Sequence, residues 1–158
     1  MNTRRQRQAV PVGDTDAYQP SPDRPVRCRA RAMGHDTQFE PHHHAWGQLA
    51  YCASGLLQVT VAADAHPDGP ACETTTIVPP SRAVWIPPGM RHAVTVREAA
   101  ELRTLYVHAG ATPPGWQACR MIVVSPLLRE LVQAMDAATR RAAEPARDRL
   151  LAGLVLDE

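Results

Sequence analysis

The chain has 158 residues, 44% of them hydrophobic, and a formal net charge of +1. That length supports one domain with an ordinary core, and the near-neutral balance gives no bulk electrostatic reason to expect nucleic acid or an anionic membrane against this chain. No apolar run is long enough to span a bilayer, and no apolar stretch follows the arginines at the start, so a soluble, cytoplasmic protein is expected.

Residues 1–24 are polar, with prolines at 11, 20 and 22, and read as a mobile arm. Its Arg4, Arg5 and Arg7 fit a solvated terminus better than a phosphate grip. Val26, Cys28, Ala30 and Ala32 then alternate with Arg27, Arg29 and Arg31, the pattern of a half-buried strand. The arginine row could grip an anion, but the expectation is the wet side of a sheet. Residues 34–41 read as loop.

Residues 45–52 and 55–63 are the best hairpin candidate, with Ser54-Gly55 as the turn. Leu57, Val59 and Val61 share one face of the second strand. A loop over 64–71 follows, then short strands over 74–78, 82–86, 91–96, 102–107 and 121–124, separated by Pro79-Pro80, Pro87-Pro88-Gly89 and Pro113-Pro114-Gly115. Many short strands at even spacing call for a sandwich or barrel. The period changes after residue 124. Ser125-Pro126 offers an N-cap and a proline at the first helical position, and Leu127, Leu128, Leu131, Val132 and Met135 follow at helical spacing. A second helix starts at Glu144-Pro145, with Leu150, Leu151, Leu154 and Val155 as its apolar side. It runs to Glu158 without turn chemistry, which suggests further chain beyond it. The four cysteines, Cys28, Cys52, Cys72 and Cys119, form no Cys-x-x-Cys pair and read as buried reduced thiols.

The chemistry concentrates in Pro41-His42-His43-His44-Ala45-Trp46-Gly47-Gln48. In an extended chain His42, His44 and Gln48 share one face and His43 points away. Pro87-Pro88-Gly89-Met90-Arg91-His92 delivers one more histidine at a strand start. Three imidazoles and an amide at these spacings suit a divalent transition metal such as zinc, nickel or iron. Trp46, Tyr51, Trp85, Arg103 and Tyr106 are candidate lining for a small-molecule pocket.

His42-x-His44, Gln48 and Gly55, followed by Pro87-x-Gly89-x-x-His92, resemble the two motifs of the cupin superfamily. Gln48 stands where that family has glutamate, and Val96 where it has asparagine. The resemblance implies a mainly β fold, a jelly-roll barrel over 25–124, here followed by two C-terminal helices over 125–158. A longer ordered string is similar to the N-terminal domain of AraC/XylS-type transcription regulators. It runs through His42-x-His44-x-Trp46-Gly47-Gln48-Leu49-x-Tyr51, Val78-Pro79-Pro80-x-Arg82-Ala83-Val84-Trp85-Ile86-Pro87, Leu102-Arg103-Thr104-Leu105-Tyr106-Val107 and Val124-Ser125-Pro126-Leu127-Leu128. That resemblance implies an effector-sensing and dimerising module, with Leu127, Leu131 and Met135 as the dimer surface. DNA would be bound only through a C-terminal helix-turn-helix domain that is not in this chain. The alternative is a metal-dependent cupin enzyme of dioxygenase or isomerase type, but no acidic residue is placed to serve as its base.

Overall fold

The computed structural model describes residues 8–13, 16–62, 73–139 and 145–158. Arg4, Arg5, Arg7, the loop carrying His66, Cys72 and Glu144 lie outside them. Ten strands are described: β1 (Gln8–Val10), β2 (Val26–Met33), β3 (Thr37–Phe39), β4 (Gly47–Cys52), β5 (Leu56–Ala62), β6 (Glu73–Val78), β7 (Arg82–Ile86), β8 (His92–Glu98), β9 (Ala100–Val107) and β10 (Arg120–Val123). They form two five-stranded sheets, ordered β1-β3-β8-β5-β6 and β10-β7-β4-β9-β2, and helices α1 (Pro126–Thr139) and α2 (Pro145–Asp157) follow. The architecture is mainly β, jelly-roll-like, with two sheets face to face rather than one closed barrel.

Two apolar cores explain the layering. Between the sheets lie Leu57 and Val59 of β5, Val94 and Val96 of β8, and Ala50, Cys52, Val84, Ile86 and Leu102 of the second sheet. On the other side of that second sheet, Val26, Cys28, Leu49, Tyr51, Trp85 and Leu105 pack with Leu128, Val132 and Met135 of α1 and Ala152 of α2. The second sheet is therefore covered on both faces, and all six residues of β4 are buried. A side chain the size of Leu105, 1% exposed, contributes roughly 1.5–3 kcal/mol by leaving water.

The expected start of α1 is present. The Leu128 N–H donates to Ser125 Oγ at 3.0 Å, which caps the helix before Pro126. The Ser125 hydroxyl in turn donates to the Glu158 carboxylate, which fixes the end of α2 to the start of α1. In α2, Leu151, Val155 and Leu156 pack on the outer core, while Leu150 and Leu154 are exposed, so its apolar side is rotated from the expected one.

Three expectations change. The 45–52 and 55–63 strands are not a hairpin: β4 pairs with β7 and β9, and β5 with β6 and β8, so Ser54-Gly55 is a corner between sheets. Gly55 has φ 86°, and a Cβ there would collide with the Ala99 carbonyl. The loop after Gly34 contains β3. The arm, along its described residues, is docked rather than loose. β1 runs parallel to β3, and Arg24 pairs with Asp148 of α2 at 3.2 Å.

Gly47 carries a sharper constraint. A Cβ on it would overlap the indole of Trp85, which is 3% exposed and held by a hydrogen bond from its Nε1 to the Trp116 carbonyl at 2.8 Å. Gly47→Ala should therefore cost about 1–3 kcal/mol in urea unfolding. A loss under about 0.5 kcal/mol would mean that the Trp85 ring is free to move aside.

Candidate metal centre and adjoining pocket

The two histidine segments are stitched together by backbone before any ring chemistry enters. The His42 N–H donates to the His92 carbonyl at 3.0 Å, the His92 N–H to the His42 carbonyl at 2.9 Å, and the Gly89 N–H to the His44 carbonyl at 2.8 Å. Gly89 sits at φ 80°, the left-handed position that closes the Pro87-Pro88 turn and aims His92 inward. Although 40–46 is not a continuous strand, the spacing still brings His42, His44 and Gln48 together and leaves His43 exposed.

Each of the three rings has its Nδ1 on a backbone carbonyl: His42 on Glu40 at 2.8 Å, His44 on Trp46 at 2.7 Å and His92 on Met90 at 2.8 Å. A carbonyl only accepts, so every Nδ1 carries the proton and every neutral ring turns its Nε2 lone pair inward. This is how outer hydrogen bonds orient histidines toward a metal. One ligand atom from each of the three lies within 4.8 Å of the others. Burial pushes the His92 imidazole down to about 3 and also lowers His42, so both are neutral at physiological pH.

Gln48 completes the cluster. Its Oε1 lies 2.9 Å from His44 Nε2 and 3.2 Å from His92 Nε2. An amide oxygen facing two imidazole lone pairs is three acceptors with no proton among them. Two arrangements resolve this. The amide can turn so that its NH2 bridges the two rings, since its orientation is an assignment rather than an observed proton position. Alternatively, a divalent cation can accept the lone pairs. The residues fit such an ion: three imidazoles whose Nδ1 atoms are engaged by carbonyls and whose Nε2 atoms turn inward, and one amide oxygen.

Beside this cluster is a small pocket between the sheets, lined by Arg29, Arg31, Phe39, His42, Gln48, Thr104 and Tyr106 among others. Of the expected lining, Tyr106 is in it. Trp46 stacks on His44, with centroids 4.9 Å apart and planes 5° apart, and its buried Nε1 has no hydrogen-bond partner. Tyr51, Trp85 and Arg103 do not line this pocket, and Trp85 instead lines a separate apolar one with Leu49, Trp116 and Leu128 beneath the helices. They share the opposite face of the second sheet, where Tyr51 and Trp85 pack in the outer core and Arg103 Nε lies 4.0 Å from Asp136 of α1. The arginine row corrects the expectation of a wet face. Arg29 lies opposite Thr104 and Arg31 opposite Leu102, on the side facing the other sheet. Alternation had split β2 correctly, but its apolar half packs against the helices, so the polar half faces the interior.

A jelly-roll sandwich with an inward histidine cluster and an internal pocket defines the class of small-molecule-binding, cupin-like domains. Over residues 24–155 the sequence matches the model of the AraC-like ligand binding domain family, and the chain belongs to that family. It is 35% identical over 112 residues to the HTH-type transcriptional regulator NimR of Escherichia coli (strain K12), covering 70% of this chain and 37% of NimR. The chain thus spans little more than a third of that relative's length. Among solved structures it is similar to oxalate decarboxylase from Bacillus subtilis at pH 4.6, with a TM-score of 0.47 and 14% identity over 82% of this chain and 31% of the other. A second structure of that enzyme, described for its Mn(II) centres, gives 0.47 and 15% over 81% and 31%. The chain is a regulatory, effector-sensing domain. No helix among the described residues is long and apolar enough to cross a membrane.

His92 makes stability depend on pH. Between about 6.5, its ordinary value, and about 3, the unfolded chain binds a proton that the folded ring refuses. Stability of chelator-treated protein should therefore fall as pH drops through that window, by up to ~1.4 kcal/mol per pH unit from this group. His92→Asn should flatten the slope in urea titrations at stepped pH. An unchanged slope would assign the acid sensitivity to other groups.

Proposed function

We propose that this domain serves a DNA-binding transcription regulator, sensing a small-molecule effector beside a transition-metal centre. The observation that carries the reading is the family membership together with a pocket that opens directly onto His42 and Gln48. DNA contact falls to a helix-turn-helix domain outside these 158 residues, in keeping with the printed description of NimR. The protein works in the cytoplasm and is not an enzyme. Membership of a ligand-binding family supports a binding role over cupin catalysis.

His42, His44 and His92 hold the ion, zinc, nickel or iron, with Gln48 as a neutral fourth donor. Bound there, the ion supplies a Lewis-acidic positive charge to whatever enters the pocket. The protein's own part is to orient three rings through backbone carbonyls and, at His42 and His92, to disfavour the charged form by burial.

The dimer surface is narrower than the sequence suggests. Leu131 and Met135 are each 6% exposed and buried within their own chain, whereas Leu127 is 50% exposed. The proposed contact therefore uses the outer side of α1 at Leu127, not the full stripe.

Two measurements test the reading. Zinc binding by equilibrium dialysis should saturate at about one ion per chain. His44→Ala should weaken it roughly 10–100-fold, and Gln48→Glu should tighten it by at least about tenfold through the added charge. No saturable binding would remove the metal and leave the bridging amide as the structure of the centre. Separately, the native gene product should bind DNA and carry on the order of 100 further residues. A native product that binds no DNA would overturn the regulator assignment.

A further inference from the structure

Two guanidinium groups stand in the pocket wall with no acid beside them. Arg29 and Arg31 are half-buried on adjacent inward positions of β2, and among the described residues neither has a carboxylate partner. What they have are neutral oxygens: the Tyr106 hydroxyl beside Arg29, and one carbonyl shared by both. Arg29 Nη1 donates to the Val12 carbonyl at 3.2 Å, and Arg31 Nη1 donates to the same oxygen at 3.0 Å. Both also lie over aromatic faces: Arg29 is 5.1 Å from the Tyr18 centroid and Arg31 4.6 Å from that of Phe39. Each guanidinium has five donors in a planar fork, so most of this capacity is unanswered by the carbonyl.

Electrostatics make the arrangement costly without a ligand. Desolvation lowers Arg31, and the neighbouring Arg29 charge lowers it further. Burial raises the Tyr106 phenol, opposed by the charge of Arg29, so Tyr106 adds a hydroxyl rather than a compensating anion. The remaining polar groups of the wall are Thr104, His42 and Gln48, all uncharged or cationic. A partly buried pair of like charges with no counter-ion favours an anion strongly. The rest of the wall, Val12, Phe39, Val94 and Leu102, is apolar, and the space enclosed is about 20 Å³, which restricts the ligand to a very small one.

We infer that the pocket takes a compact organic carboxylate, with its oxygens on Arg29 and Arg31 and its apolar body against Phe39, Val94 and Leu102. This rests on the sensor reading above and names the effector's chemical class. A carboxylate matches the fork geometry of a guanidinium and carries a full charge where the Val12 carbonyl carries a partial one. The apolar wall favours a carboxylate on a hydrocarbon body over a free inorganic oxyanion.

The test uses acetate and propionate as probes, with acetamide and propionamide as neutral isosteres and inorganic phosphate as the rival oxyanion. Binding is measured by calorimetry at fixed ionic strength, on both chelator-treated and zinc-loaded protein. At least one acid should bind about tenfold or more tightly than its amide. Arg29→Gln and Arg31→Gln should each weaken that acid by a similar factor with and without zinc. Arg31→Lys, which keeps the charge, should recover part of the loss and guards against a folding artefact. Equal binding of acid and amide would overturn the inference, as would binding of phosphate alone or acid binding that follows zinc and ignores both arginines. If no acid binds while the native product still binds DNA, the inference fails alone and the regulator reading stands. If an acid binds through the arginines but the native product binds no DNA, the reading fails and the pocket assignment remains.

Discussion

Neighbouring side chains along β4 and β9 belong to two different cores. Gln48, Ala50 and Cys52 face the other sheet, and Leu49 and Tyr51 face the helices. Thr104 and Tyr106 line the pocket, and Leu105 and Val107 pack outside it. A period of two admits no compromise: a one-residue slip would put Gln48 among the leucines and Leu49 beside the imidazoles. The register of the second sheet is therefore the condition on which both the histidine cluster and the docking of α1 depend. It is pinned at one end by Gly47, the residue at which the Trp85 indole passes over bare backbone.

The histidine cluster was legible in the sequence because its geometry is mostly local. The spacings of two from His42 to His44 and of four from His44 to Gln48 survive the loss of regular strand, since the segment stays extended. The turn at Gly89 delivers His92 through a φ that only glycine takes easily. The Nδ1 contacts to the carbonyls of Glu40, Trp46 and Met90 were not legible. Each comes from a residue two positions away from its ring, a relation that spacing alone does not reveal.

What the sequence hid was which side is inside. On β2 the apolar residues Val26 and Cys28 looked like the core face, and they are buried, but against α1 and α2. A sheet covered on both sides has two interiors, and alternation distinguishes faces without naming them. That single ambiguity accounts for assigning Tyr51, Trp85 and Arg103 to the same pocket as Tyr106 and for reading Arg29 and Arg31 as a wet face. The missed hairpin has a different cause. Ser54-Gly55 has the chemistry of a tight turn, yet the contacts that decide whether its strands pair or part come from β7, β8 and β9, all more distant in sequence. β1 and β3, at three residues each, are too short to show any period.

The same two-sidedness bears on how a bound effector could reach the helices. β2 presents Arg29 and Arg31 to the pocket and Cys28 to α1, where its thiol lies 3.8 Å from the Val132 carbonyl. β9 presents Tyr106 inward and Arg103 outward toward Asp136. Arg29, Gln48, Thr104 and Tyr106 thus each have a covalent neighbour, Cys28, Leu49 or Leu105, in the core that α1 covers. Adjacency alone does not make a switch; coupling requires an element with two arrangements whose balance the ligand shifts. The arginine pair is well suited to set that balance. Its repulsion is carried by β2 when only neutral oxygens answer it and is relieved when an anion does, and β2 is the strand against which α1 is laid. Packed cores resist small displacements rather than absorbing them, so strain released on the inner face of β2 would be passed to the helix on its outer face.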